Sequence, residues 1–388
     1  MQNLATQADK FELPGNIHYL NGAFMSPQLK SVTAIGLESV QKKALPFNTS
    51  IDDFFNDTEK IRREYSKLIN NKEPNRIVLI PSVSYGMANV THNIELKGRE
   101  VVVAGEQFPS NVYPWMSAAK QQGGELKIVD PPQTTEQRGE KWNQLILEAI
   151  NENTAVLAIS QVHWADGTKF DLVAMRKRTK EVGALLIIDG TQSVGAHPFD
   201  LEEIQPDALI CAGYKWLLGP YGLGMAYYGE YFDNAMPIEE NWINRLNSED
   251  FSGLIEYEET YQPGALRFEM GEHSSFVLVP MLLESLKQLN EWQPDRIQTY
   301  CKSIVDDPLQ RLQEAGFWVE DEAWRANHLF GIRHAEMPIE KIKAAFAERN
   351  IFVSYRGSAI RVAPYVHNTI EDLNVMTEVL LESIIHHA

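Results

Sequence analysis

Between residues 76 and 228, short continuous apolar runs alternate with stretches of helical period. The apolar runs predict strands at 77–80, 101–104, 126–129, 155–160, 184–189, 208–211 and 223–228. Helical periodicity falls between most of them, at 84–93, 110–122, 142–151 and 172–182. Strands that are apolar along their whole length and separated by helices indicate a mainly parallel sheet covered on both faces. The segment between 211 and 223 is too short for a crossover helix, so the strands it joins should be antiparallel.

Outside this block the pattern changes. Residues 1–20 read as a loose leader ending in His18-Tyr19-Leu20, followed by turn-rich Asn21-Gly22-Ala23-Phe24-Met25-Ser26-Pro27. Ser26 can cap a helix with Pro27 at its first position, running to about residue 45. A second helix begins near Ser50, with Asp52 and Asp53 early and Arg62, Arg63 and Lys67 late, an order that suits the helix dipole. Residues 230–265 are irregular and rich in acids and aromatics. Helices are expected at 277–292 and 295–315. A strand (328–332), a helix (339–348), strands at 351–354 and 359–362, and a helix (370–385) then form a small α+β unit. The expected division is a large domain over 20–270 and a small domain made of 271–388 with the leader 1–19, as the 388-residue length also suggests.

The formal net charge is 35 − 53 = −18. So acidic a chain argues against nucleic acid or an anionic membrane as its main partner, but not against a small anion held by backbone N–H groups. Cys211 and Cys301 are the only cysteines, which gives no disulfide framework and fits a reducing compartment. Polar residues 1–10 lack a signal-peptide core, and no run approaches the ~18 apolar residues of a membrane span. These features point to the cytoplasm.

The candidate chemistry centres on Ala212-Gly213-Tyr214-Lys215-Trp216-Leu217-Leu218-Gly219-Pro220. A lysine just past a buried strand, hemmed in by apolar neighbours, loses part of its preference for the charged form and becomes a usable nucleophile. Upstream, the strand ending Ile187-Ile188-Asp189 delivers a carboxylate to its C-terminal end. A Schiff-base lysine with an acid at a pyridinium nitrogen is the pair pyridoxal phosphate requires. Its phosphate wants donors at a helix N-terminus after a strand, and Val83 and Ser84 stand there, with Ser84 as the expected cap. Phe108, in the loop after 101–104, is the candidate ring-stacking group, and Gln192 and Gln161 can contact the ring's oxygen. Arg361, on an apolar strand of the small unit, is a fork for a substrate carboxylate. Each has a plain structural counterpart: a surface lysine, an ordinary cap, a packed aromatic, a buried ion pair.

Taken together, Ile188-Asp189-Gly190-Thr191-Gln192-Ser193-Val194-Gly195, Gly213-Tyr214-Lys215 and Leu218-Gly219-Pro220 resemble the class V aminotransferase family of fold-type I pyridoxal-phosphate enzymes. That family includes cysteine desulfurases, selenocysteine lyases, kynureninases and isopenicillin N epimerase-like proteins. The resemblance runs from Tyr19-Leu20-Asn21-Gly22-Ala23 to Arg361-Val362-Ala363-Pro364 and beyond. It implies that Lys215 carries the cofactor, that Asp189 and Gln192 hold its ring, and that Phe108 stacks on it. It further implies that Ser84, the neighbouring amides and Tyr214 hold the phosphate, while Asn21 and Arg361 face an amino-acid substrate. Met270-Gly271-Glu272-His273-Ser274 is similar to the family loop that reaches a partner subunit's phosphate, which implies a homodimer served by Gly271 and Glu272.

The departures narrow the subgroup. Many relatives have serine three residues before the lysine and histidine directly before it; here Ala212 and Tyr214 stand there, a kynureninase-like arrangement. The stretch Val353-Ser354-Tyr355-Arg356-Gly357-Ser358 lacks the cysteine a desulfurase would carry. The expectation is therefore transamination or epimerisation at Cα, with a β-lyase of kynureninase or selenocysteine lyase type as the alternative. His163 is a candidate acid–base or substrate contact and Arg356 a second substrate cation. No metal site is expected. A nucleotide-binding enzyme built on Gly219-Pro220-Tyr221-Gly222-Leu223-Gly224 fits poorly, since that loop precedes a strand rather than a helix. A non-catalytic relative would not need the Lys215–Asp189 pair.

Overall fold

The computed structural model describes residues 3–385. In chain order its elements are β1 (His18–Tyr19), α1 (Lys30–Lys43), α2 (Asn56–Leu68), β2 (Ile77–Ile80), α3 (Val83–His92), β3 (Glu100–Ala104), α4 (Tyr113–Gln122), β4 (Glu125–Val129), α5 (Arg138–Ala149), β5 (Thr154–Ser160), α6 (Leu172–Val182) and β6 (Leu185–Asp189). There follow α7 (Leu201–Ile204), β7 (Ala208–Ala212), β8 (Gly224–Tyr228), α8 (Leu278–Trp292), α9 (Pro294–Glu314), β9 (Phe330–Ile332), α10 (Ile339–Glu348), β10 (Ile351–Phe352), β11 (Ser354–Arg356), β12 (Ala359–Val362) and α11 (Ile370–Ile385).

The seven expected strands form one sheet in the order β2-β8-β7-β6-β5-β3-β4. β8 runs against both neighbours and the other pairs are parallel, so the short 211–223 link produces the antiparallel pair anticipated for it. Alternate residues along each strand feed opposite faces. Val101, Val103, Ile187 and Ile210 pack with Met87, Val90 and Trp115 of α3 and α4. Val102, Leu157, Ile188 and Leu209 pack with Ile61 and Tyr65 of α2 and with α5, α6 and α8. Burial on both faces explains why these strands are apolar at every position rather than at every second one.

Several local expectations are corrected. α1 starts at Lys30 rather than after Ser26, because Leu29 is buried and bridged to Phe11, which keeps the chain extended to that point. The Ser50 signal forms a capping box with Asp53 on a single 3-10 turn, Ile51–Phe54, and α2 follows at Asn56. The leader is tied down: β1 pairs in parallel with β10, and Gln7 N–H donates to Val366 O. The strand expected at 351–354 divides at Val353. β10 turns to β1, while β11 joins β12 and β9 in a three-stranded antiparallel sheet. Among the described residues, no helix is long and apolar enough to cross a membrane.

Candidate active site

All strands of the large sheet except β8 point the same way, so β2, β3, β5, β6 and β7 deliver their C-terminal loops to one edge. In open α/β sheets ligands bind at that edge. A cavity of about 230 Å³ opens there, lined among others by Ser82, Val83 and Ser84 after β2, Gln107 and Phe108 after β3, and Trp164 after β5. Asp189, Thr191 and Gln192 at the end of β6, Tyr214 and Lys215 after β7, and Tyr221 before β8 complete the wall.

Lys215 is only 7% exposed. Its Nζ lies 5.5 Å from the Phe108 ring centre and 5.6 Å from that of Tyr214. Burial lowers its pKa to about 8, aided by the charges of Arg361 and Arg356 and opposed by Asp189. Asp189 is 6% exposed and accepts a hydrogen bond from Thr191 N at 3.0 Å. Burial raises its pKa, and the Thr191 hydrogen bonds and the Lys215 charge hold that rise in check. The Gln192 amide is fixed at both ends: Nε2 donates to Ala23 O, and Oε1 accepts from Trp216 Nε1. Behind it His328 Nε2 contacts the Gln192 carbonyl, and burial pushes this imidazole down to about 3, so it is a neutral donor.

The N-terminus of α3 also lines the cavity. Its cap is Ser82, not Ser84: Ser82 Oγ accepts from Tyr85 N at 3.2 Å. Ser82 is extended, as an N-cap residue must be, while Ser84 has already entered the helix and shares a 3.0 Å hydroxyl contact with Ser82. The first-turn N–H groups of Val83 and Ser84 have no intrahelical acceptor and face the cavity. An amine, an acid, the amides and hydroxyls of a helix start and the Phe108 ring in one cavity wall are the donor set pyridoxal phosphate needs, so the residues present fit the group.

Other residues expected in the site are placed elsewhere. Gln161 turns away from the cavity, and its Nε2 donates to Pro198 O. His163 does not reach the cavity either: it is fully buried, with Nδ1 3.3 Å from Asp166 Oδ1, Nε2 3.3 Å from Gly105 O, and its ring edge-on to Trp142. Ser160 at the end of β5 and Val162 and Trp164 in the loop after it line the cavity, and Gln161 and His163 do not. Asn21 Oδ1 accepts from Ser354 Oγ on the wall of the C-terminal sheet. Gly271 N donates to Glu239 Oε1 and Glu272 holds φ +56°, both outside this cavity. Arg361, 1% exposed, donates to Trp164 O and Ser354 Oγ, and its guanidinium lies over the Trp164 ring. Gln107, Thr191 and Tyr221 went unread in the sequence; each adjoins a residue that was singled out or sits one strand further along, which was the available signal.

The backbone beneath Lys215 is tightly fitted. Gly195 has φ +98°, and an added Cβ would collide with the Trp216 carbonyl oxygen. Gly195→Ala should therefore lower stability by about 1–3 kcal/mol from the backbone conformation alone. Chemical denaturation of the two proteins checks this.

Comparison with known proteins gives the same picture. The aminotransferase class-V family matches residues 46–375. The chain is 25% identical over 381 residues to the uncharacterized aminotransferase YcbU of Bacillus subtilis (strain 168), covering 93% of this chain and 96% of that protein. It is 28% identical over 260 residues to a cysteine desulfurase of Escherichia fergusonii, covering 66% of this chain and 61% of that enzyme. Among solved structures, the Escherichia coli cysteine desulfurase CsdA superposes with a TM-score of 0.80 at 17% identity, covering 98% of both chains. A C-DES mutant with glycine covalently linked to its pyridoxal-phosphate cofactor superposes at 0.84 and 16% identity, covering 97% of this chain and 99% of that one. At such identities these two likenesses speak for the fold alone. The family match spans most of the chain and its members use pyridoxal phosphate, so this protein belongs to the class V aminotransferase family of fold-type I, pyridoxal-phosphate-dependent enzymes.

Proposed function

We propose that the enzyme acts at the Cα of an amino acid, transaminating or epimerising it. The observation that carries this is the burial of Lys215 and Asp189 in one cavity that the N-terminus of α3 also lines. The cofactor, when bound, supplies an electron sink for charge developing at the substrate Cα. Lys215 anchors it in the resting enzyme and, once free, takes and returns the Cα proton. An amine with a pKa near 8 suits both tasks. Asp189 holds a proton at the ring nitrogen. The amides of Val83 and Ser84, the Ser84 hydroxyl and Tyr214 bind the phosphate, and Gln192 contacts the ring's oxygen. Phe108 covers the ring and keeps water from it. Arg361 takes the substrate carboxylate beside Asn21. We also read the enzyme as a homodimer, with Gly271 and Glu272 directed to a second copy's site, and as divided into domains over 20–270 and over 1–19 with 271–388.

A second reading, β-elimination, is favoured by the similarity to cysteine desulfurases. A desulfurase-type nucleophile has little support here. Cys211 and Cys301 are both fully buried, burial pushes both thiols far up, and Cys211 Sγ faces the carbonyls of Gly190 and Ala212. A panel of amino acids separates the readings. A keto acid indicates transamination, loss of optical activity indicates epimerisation, and a released side-chain fragment would overturn the preferred reading in favour of the lyase. With any substrate found, Arg361→Lys keeps the charge but loses the fork, and KM should rise about tenfold or more. An unchanged KM would remove Arg361 from substrate binding.

A further inference from the structure

Arg361 has a neighbour with the same needs. β11 and β12 form a hairpin closed by only Gly357 and Ser358, with Gly357 at φ +53°. Ser354 stands opposite Arg361, and Arg356, two residues along β11, shares the face of Ser354. Both guanidiniums lie over the Trp164 ring, at 5.2 Å for Arg356 and 5.9 Å for Arg361, and Trp164 lines the cavity. Both charges act on the Lys215 amine. Among the described residues no carboxylate pairs with either. Each keeps a buried Nε without a hydrogen-bond partner. The remaining donors of Arg356 are little used: Nη1 reaches only the Tyr355 carbonyl, at 2.7 Å.

A buried guanidinium without a counter-ion is costly, and a second, part-exposed one beside it adds to the cost unless something anionic joins them. One amino-acid carboxylate satisfies one fork. The two-residue turn sets the backbone of Arg356 beside Arg361, and its part-exposed guanidinium can meet a ligand at the rim of the site. In a chain of net charge −18, a cationic spot over Trp164, beside the cavity that holds Lys215, also selects anions locally.

We propose that the substrate carries a second acidic group on its side chain, an α-amino dicarboxylic acid, with Arg361 taking the α-carboxylate and Arg356 the distal one. This rests on the amino-acid reading above. The test titrates the holoenzyme with glutamate, aspartate and 2-aminoadipate against glutamine, asparagine and norleucine, following the cofactor's visible band. At least one acid should bind about tenfold or more tightly than its amide or apolar counterpart. Arg356→Gln should bring that acid's affinity down to that of the counterpart, and Arg356→Lys should restore part of the preference. Equal binding of acids and neutral amino acids would overturn the proposal. So would equal weakening of both classes by Arg356→Gln, which would mean that the two arginines share one carboxylate. A holoenzyme whose band no amino acid perturbs would overturn the amino-acid reading, and this proposal with it.

Discussion

Replacing Lys215 with alanine is expected to abolish turnover, with activity down about 10⁴-fold or more, and to leave a protein whose visible chromophore borohydride no longer fixes to the chain. The size of the effect follows from the residue's position. Within the cavity wall Lys215 is the primary amine, held between the rings of Phe108 and Tyr214. A substitute would need both its nucleophile and its base. The neutral amine is the reactive form, so cofactor uptake by the apoprotein should quicken as pH rises through about 8, where an exposed lysine would need pH near its ordinary value of 10.5. At neutral pH that difference corresponds to about a hundredfold or more in the reactive fraction. Stability moves in the same direction with pH. The unfolded chain holds this proton up to a higher pH than the folded one, so below about 8 burial of Lys215 detracts from stability, and the deficit is removed as pH rises from about 8 toward 10.5. Stopped-flow reconstitution across pH 6–10 checks the kinetic claim, and a chromophore still trapped in Lys215→Ala would refute the assignment.

What could be read from the sequence and what could not divides along physical lines. Strands buried on both faces must be apolar throughout, so β2, β3, β5, β6 and β7 appear in the sequence within a residue or two of their observed ends. Their C-terminal ends meet one sheet edge, so Asp189, Lys215, Phe108 and the start of α3, each just past a strand, fall in one cavity wall. The misses arise where a single residue's direction decides. Gln161 and His163 are plausible by chemistry, but the loop after β5 turns Val162 and Trp164 to the cavity instead. Ser82 and Ser84 are equally good caps by type, and only the extended backbone at Ser82 distinguishes them. The short strand β1 has no periodicity to read, since its partner β10 lies more than three hundred residues away and supplies the pairing. Val353 carries no mark that the chain changes sheets there.

His163 belongs to a buried charge cluster that binds the cavity loop to the rest of the molecule, and breaking it should have the largest effect on stability. At the centre is Asp166, 2% exposed. Its Oδ2 lies 3.1 Å from Arg138 Nη2 at the start of α5 and 2.9 Å from Arg333 Nη2 just past β9. Its Oδ1 accepts from Thr168 Oγ1 at 2.9 Å and lies 3.3 Å from His163 Nδ1. One carboxylate thus joins the segment carrying Trp164 to a helix of the large sheet and to the C-terminal sheet that presents Arg361. Asp166→Ala leaves Arg138 with Glu320 alone and Arg333 without this partner, and should cost about 3–5 kcal/mol, the range for removing one member of a buried ion pair. Burial alone would raise this carboxyl, but His163, Arg138 and Arg333 outweigh it and hold it well below the usual carboxylate range. A depressed folded-state value means the stabilisation is complete above the unfolded value near 4 and is lost as pH falls toward the folded one. Denaturant titrations from pH 7 down to pH 3 should show a steep acid limb in the native enzyme and a shallower one in Asp166→Asn, which keeps the volume but not the charge. Equal acid limbs in the two would show that Asp166 is not the group that ties these segments together. A loss of substrate affinity larger than the loss of stability predicts would mean that the cluster also sets the position of Trp164 and of the two arginines that lie over its ring.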